Sequence, residues 1–190
     1  GRCAGRSRPG PVRLYPGPRG SGSRPSCGKY LPPSPLLRPP PRGGRPLRIN
    51  LARDAATAGD VWLYDENSRV AVLGDLVTLP APFLDTACPE GWKVALQQVS
   101  DTPFEMAIPG HGGPMTRVQF QRYQAAFAAF IVCAGSARSQ GECATDWADS
   151  IRTLLAEDPA EQQRAREMAA YYVEMLRANG GRSKFCESSR

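Results

Sequence analysis

Proline is concentrated in one stretch of this 190-residue chain, which limits where helices and strands can form. Residues 1–50 contain 12 of the 19 prolines and 9 of the 19 glycines. Proline removes a backbone donor, breaks helices and is tolerated in sheets only at edges, so few uninterrupted runs here can form a helix or a strand. We therefore predict that residues 1–50 form a disordered, polyproline-like segment with few contacts to the rest of the chain.

The charge of the chain divides at the same place. Residues 1–50 carry ten arginines, one lysine and no acidic residue, a net charge of +11. The whole chain has a net charge of +6, so residues 51–190 carry −5. The basic character belongs to the first segment alone, and that segment has little of the aromatic interleaving that stacks on bases. We expect no nucleic-acid partner.

Membrane and export signals are not visible in the sequence. No stretch of about 18 uncharged apolar residues is present, which argues against a membrane span. The first 30 residues lack the apolar core of a secretory signal peptide, and the chain begins at Gly1 rather than at a methionine. These observations leave the compartment open.

The chain has six cysteines and one histidine, with no C-x-x-C pair, which argues against a zinc finger. Cys133 and Cys143 bracket a Gly/Ser-rich loop, and Cys186 follows a predicted helix. One or two disulfides and buried free thiols both fit this pattern, because the compartment is not known.

Short apolar runs predict a sheet in the middle of the chain, with order beginning near Ala58. Residues 61–64 and 70–73 are of strand length and are joined by a turn-forming stretch, which predicts a hairpin. Residues 104–108 predict a third strand. Neither strand of the hairpin alternates with polar residues, so we expect both faces of the sheet to be covered.

Three amphipathic helices are predicted. The first has an apolar stripe at helical spacing, formed by Trp92, Ala95, Leu96 and Val99. The second begins at a capping box of Thr116 and Gln119, and a loop over residues 135–145 follows it. The third begins at Asp158 and ends at Asn179. Its predicted packing face consists of Met168, Tyr172 and Leu176.

Two polar side chains follow apolar strands where packing does not require them. Asp75 comes after the second strand, and His111 lies in a Pro-Gly-His-Gly stretch after the third. Each has a structural explanation, as a turn aspartate or a loop histidine. In one sheet, however, a carboxylate and an imidazole at neighbouring strand ends can share a metal ion, with ligand atoms roughly 3–5 Å apart.

The loop after Asp75 has two interpretations. Pro82, Phe83 and Asp85 either line a pocket beside the candidate site or pack the loop itself.

Three ordered stretches resemble the metallo-β-lactamase superfamily. They are residues 56–65 (ATAGDVWLYD), 69–77 (RVAVLGDLV) and 108–116 (IPGHGGPMT). The family shows a threonine-glycine hairpin start, a strand ending in Gly-Asp and a strand ending in Pro-Gly-His-Gly. The resemblance covers about residues 55–135, and the long helical end is similar to bacterial members associated with quinoprotein systems. A bacterial cytoplasmic or periplasmic location would follow.

The resemblance implies an α/β fold, the second half of an αβ/βα sandwich. Residues 51–136 would form this half domain, and residues 137–190 a helical C-terminal extension. The inner face of the sheet would lose its covering partner. We therefore expect an exposed apolar patch through which the chain self-associates.

The resemblance also implies a site and a chemistry. Asp75 matches an aspartate that bridges two metal ions, and His111 matches the final histidine ligand. The family's H-x-H-x-D-H motif is absent, and Ala56 stands where a further histidine is expected. A catalytic zinc typically has three protein ligands, so this chain should bind zinc weakly or not at all.

Two functions from different classes follow. One is a zinc-dependent hydrolase of an unknown ester, amide or lactam that is truncated or degenerate, and therefore inactive as this chain. The alternative is a non-catalytic binding or scaffold protein that keeps the half-sandwich and docks a partner through its basic segment or terminal helix.

Overall fold

The computed structural model describes residues 46–183 and 185–186, and the predicted disorder of residues 1–45 lies outside the described residues. The described chain is α/β, with one five-stranded sheet and four α-helices, as predicted. The strands are β1 (Leu47–Arg53), β2 (Gly59–Asp65), β3 (Val70–Thr78), β4 (Met106–His111) and β5 (Met115–Thr116). The helices are α1 (Pro89–Ser100), α2 (Arg117–Ala134), α3 (Gln140–Ile151) and α4 (Pro159–Ala178).

The strands lie in the sheet in chain order, β1-β2-β3-β4-β5. β1, β2 and β3 form an antiparallel meander, and β5 is antiparallel to β4. β3 and β4 are parallel, and α1 forms the crossover between them. This parallel pair brings the carboxyl ends of β3 and β4 to the same edge of the sheet.

Strand β1 was not predicted, and it moves the start of ordered structure ahead of Ala58. Residues 47–50 belong to this strand, so the part of the predicted disordered segment that the structure describes forms a sheet. The prolines of the segment end at Pro46, and the residues that follow alternate between large apolar and smaller or polar side chains. Ala52 is buried on the face that packs on the core, and Leu47, Ile49 and Leu51 are exposed on the other face, as the alternation of a strand requires.

The face of the sheet that the helices cover carries the core. Its buried side chains include Trp62, Tyr64, Ala71, Leu73 and Ala107. Helices α1 and α2 cover this face and contribute apolar stripes to the same core, among them Trp92, Leu96, Val99, Phe120 and Phe127. The stripe predicted for α1 is therefore confirmed.

The opposite face of the sheet is open, and the prediction that both faces are covered is wrong. Val61 is 57% exposed and Ile49 is 56% exposed. The unbroken apolar runs of β2 and β3 correctly indicated apolar side chains on both faces. They did not show that the described chain covers only one of them.

Helix α2 begins as predicted, with Thr116 and Gln119 forming a reciprocal capping box. The loop predicted over residues 135–145 is only partly correct, because α3 begins at Gln140. Ser139 and Glu142 form a second capping box at its start. This Ser-x-x-Glu pattern is a local signal that the sequence interpretation missed.

Helix α4 confirms its prediction closely. Asp158 accepts a hydrogen bond from the backbone N–H of Ala160, and the helix is followed by Gly180 at a φ of +67°. Tyr172 and Leu176 are buried and Met168 is half-buried, so the predicted face packs into the core. No helix in the described part of the chain is long and apolar enough to cross a membrane.

Two disulfides join the described cysteines. Cys133 and Cys143 tie the end of α2 to α3, and Cys88 and Cys186 tie the start of α1 to the residues after α4. Of the two alternatives that the sequence left open, the structure shows the disulfide one for these four residues.

Candidate functional site

Asp75 and His111 reach the site on two neighbouring strands. Gly74 has a φ of +52°, and the register between β3 and β4 shifts on both sides of it. Such an irregularity re-aims a side chain, and the next residue, Asp75, is exposed. His111 is the last residue of β4, opposite Thr78. β3 therefore continues past Asp75 rather than ending there.

The two predicted side chains lie side by side. Asp75 Oδ1 is 3.7 Å from His111 Nε2, inside the range predicted from the sequence. The His111 side chain is 52% exposed and that of Asp75 is 54% exposed, so both donors face solvent. The geometric expectation is confirmed, while the role of these residues as metal ligands stays a prediction.

Glycine at position 110 permits the close approach of the two strands. A Cβ built on Gly110 would lie 2.6 Å from Asp75 Oδ1 and 2.8 Å from the Gly74 carbonyl carbon. Contacts this short with backbone atoms cannot be relieved by turning a side chain. The spacing of Asp75 and His111 therefore depends on the absence of a side chain at Gly110.

Replacing Gly110 by alanine is expected to lower the free energy of unfolding by about 1–3 kcal/mol, because the added methyl group overpacks the β3–β4 contact. Urea denaturation measures this loss. Gly113→Ala is the matched control, because a Cβ there would meet no atom within 4 Å, and it should change stability by less than about 0.5 kcal/mol. Equal stabilities of the two variants would contradict the prediction.

The loop between β3 and α1 borders His111. The carbonyl of His111 accepts a hydrogen bond from the Leu79 N–H at 3.1 Å, and the Phe83 ring meets the imidazole edge to face with centroids 5.0 Å apart. Of the three loop residues singled out in the sequence, Phe83 therefore contacts the site and Pro82 is buried.

Asp85 takes part in packing the loop rather than in the site. Its two carboxylate oxygens accept hydrogen bonds from the hydroxyls of Tyr171, at 3.2 Å, and Tyr172, at 2.8 Å. Burial, together with the hydrogen bond to Asp85, raises the pKa of Tyr172. The negative charge of Asp85 raises the pKa of Tyr171. Both phenols thus stay protonated and hold the loop against α4, a link for which the sequence offers no local signal.

Residue 56, where the resemblance would place another metal ligand, has no side chain that could bind a metal. Ala56, where the resemblance would place a histidine, is buried, and its carbonyl accepts a hydrogen bond from Thr86 Oγ1. Nearby Asp60 accepts hydrogen bonds from the backbone N–H and the hydroxyl of Thr57. Its carboxylate therefore closes the turn that begins β2.

The described residues bring two potential metal donors together. Asp75 and His111 are close enough to bind one ion together, but no group of three His, Cys, Asp or Glu side chains within residues 46–183 and 185–186 could hold a metal. The four described cysteines are in disulfides and offer no thiolate. His111 is the only histidine of the whole chain. Hydrolytic chemistry that needs three protein ligands is not assembled by these residues.

Comparison with known proteins finds neither a matching family model nor a matching curated protein. Solved structures do match. A metallo-β-lactamase from Pontibacter korlensis has 20% identity and a TM-score of 0.42, over 45% of this chain and 43% of that one. A metallo-β-lactamase family protein from Thermus thermophilus has 17% identity and a TM-score of 0.40, over 72% of this chain and 46% of that one.

A β-lactamase domain protein from Burkholderia ambifaria has 19% identity and a TM-score of 0.39, over 73% of this chain and 44% of that one. The chain thus spans less than half the length of each of these three proteins. At these identities and TM-scores, the likeness does not assign the chain to a family or to an activity.

Proposed function

We propose that the chain supplies part of the metal centre of a metallo-β-lactamase-type hydrolase, with Asp75 and His111 as its zinc ligands. The observation that carries this proposal is the 3.7 Å approach of Asp75 Oδ1 and His111 Nε2 at a solvent-facing edge of the sheet. Two donors each about 2.0–2.2 Å from one zinc ion lie at such a separation. The Gly-Asp and Pro-Gly-His-Gly stretches that resemble the family are the two that form this edge.

A site with two protein ligands is expected to bind zinc weakly. Structural zinc sites with four ligands bind with about 10–16 kcal/mol. Half of that binding energy corresponds to a Kd between about 1 µM and about 0.2 mM. We therefore expect this chain to bind zinc reversibly and not to hydrolyse esters or lactams on its own.

Zinc titration of the full chain tests the proposal. Because the chain has a single histidine, the imidazole C–H signals in an NMR spectrum belong to His111 and report binding directly. We expect these signals to shift with a saturable zinc dependence. His111→Ala and Asp75→Asn should each weaken binding, measured by calorimetry, by at least about tenfold, the lower end of what even indirect partners of a ligand contribute.

Asp149→Asn is the control, since Asp149 is an exposed aspartate on α3, away from the sheet edge. Its zinc affinity should equal that of the unmodified chain. Absence of saturable binding, or binding that survives both site substitutions, would overturn the assignment of the ligands. Ester or β-lactam turnover that disappears in His111→Ala would instead overturn the expected inactivity.

The second candidate function is a binding or scaffold protein without catalysis that docks a partner through its basic segment or terminal helix. The open face of the sheet supports this proposal, because an exposed apolar face offers a further surface for interaction. Under this function, zinc would neither bind at Asp75 and His111 nor be needed for association. The titration above therefore separates the two functions.

The compartment and the closer subgroup are also proposals. Two disulfides favour an oxidising compartment, so we propose the bacterial periplasm rather than the cytoplasm. The similarity to quinoprotein-associated members stays a prediction from the helical end alone.

A further inference from the structure

The open face of the sheet forms one continuous apolar surface. Strand pairing places Leu51 beside Val61, Ile49 beside Leu63 and Val72 beside Leu63. Val70 and Val72 in turn lie beside Met106 and Ile108. The open face is therefore made of nine aliphatic or methionine side chains from four neighbouring strands: Leu47, Ile49, Leu51, Val61, Leu63, Val70, Val72, Met106 and Ile108.

Charged groups are largely absent from the middle of this surface. Asp65 shares its register but is buried, with its carboxylate accepting hydrogen bonds from the Asn67 N–H and the Ser68 hydroxyl in the following turn. Arg53 lies at the end of β1. An occupant therefore needs an apolar surface to cover the middle of this face, where no exposed charge has to be neutralised.

The open face is large enough to form the apolar centre of an interface. Six of its side chains are between 36% and 57% exposed, which amounts to an apolar patch on the order of 500 Å², at the upper end of what monomers show. A specific interface buries about 800 Å² per partner, with an apolar centre and a polar rim. The open face would form most of such a centre.

We propose that a second copy of this chain covers the open face, so that two sheets pack face to face in a symmetric dimer. In a two-fold interface the same patch serves both partners, so the surface must complement itself. A face whose middle carries aliphatic side chains and no exposed charge meets this requirement, because no like charges oppose one another there. Sheets pack in this way at about 10 Å, with their side chains interdigitating.

Val61→Lys tests the proposal in the full chain. Val61 lies on β2, inside the sheet, so a lysine there puts a charge into the interface of each copy while leaving the β1 edge intact. We expect the unmodified chain to sediment as a dimer across the micromolar range. Val61→Lys should raise the dimer Kd by at least about a hundredfold, because the charge cannot be buried unpaired.

Val132→Lys is the matched control, since Val132 is 69% exposed on α2, away from the sheet. It should leave the dimer unchanged, and circular dichroism should show both variants to be folded. A monomeric unmodified chain would overturn the proposal and leave a different protein as the occupant. A dimer that survives Val61→Lys would also overturn it, and would indicate pairing through the β1 edge.

The dimer goes beyond the proposed metal site and is tested separately from it. Sedimentation is measured with and without a chelator, and the same mass is expected in both. An unmodified chain that dimerises but does not bind zinc would count against the metal site alone. An unmodified chain that binds zinc but is monomeric would count against the dimer alone.

Discussion

Replacing Trp147 by alanine is expected to lower the free energy of unfolding by about 3–5 kcal/mol, the cost of removing a large buried aromatic side chain. Trp147 lies on α3 with 1% of its surface exposed, and its ring contacts Tyr123 and Phe130. Its indole N–H also donates to the carbonyl of Pro80 at 2.9 Å, which joins the helical layer to the loop beside His111. Urea denaturation followed by far-ultraviolet circular dichroism measures the loss.

Trp147→Phe separates the hydrogen bond from the packing. Phenylalanine keeps most of the ring volume but leaves the Pro80 carbonyl without its buried donor, so a smaller loss of about 1–3 kcal/mol is expected. Val132→Ala, at an exposed position, should stay within about 0.5 kcal/mol. A loss below about 1 kcal/mol in Trp147→Ala would mean that the indole is not part of the core.

Removal of the Cys88–Cys186 disulfide by double alanine substitution is the second large effect. The two cysteines are separated by 98 positions. Closing a loop of that length restricts the unfolded chain, and the chain-entropy relation gives a stabilisation of about 4–5 kcal/mol. Unfolding under non-reducing conditions should therefore show a lower free energy of unfolding in the variant. We expect a decrease of about 2–4 kcal/mol, since disulfides usually contribute somewhat less than the chain-entropy relation gives.

The Cys133–Cys143 disulfide provides the internal control. These cysteines are 10 positions apart, so the same relation gives only about 2–3 kcal/mol. The double alanine variant of this pair should therefore be the more stable of the two. If its loss equalled or exceeded that of the long loop, entropy of the unfolded chain would not be the source of the difference.

Local sequence patterns predicted the strands and helix starts whose signals lie within a few residues. The apolar runs of β2 and β3, the capping box at Thr116 and the cap at Asp158 each bring their own signal within a few residues. α3 carried the same kind of signal, Ser139 with Glu142, and was missed because a Gly/Ser-rich stretch precedes it.

The candidate site was also accessible from the sequence, because two motifs at the ends of apolar runs had to meet if their strands were parallel neighbours. β3 and β4 are such a pair, and Asp75, within β3, lies beside His111 at the end of β4. The sequence left open whether Phe83 lines a pocket or packs its loop. Only the folded chain shows that it lies beside His111.

Local sequence patterns show where apolar side chains alternate or repeat and where helices begin, and the composition shows that the chain has a single histidine to offer a metal. Only the folded chain shows which face of the sheet α1 and α2 cover, and that Tyr171 and Tyr172 bind Asp85. These two kinds of feature differ in the distance along the chain over which they act. A cap or a stripe acts over three or four residues, whereas the Tyr–Asp contacts join residues 86 and 87 positions apart, which only the packing of the whole core brings together.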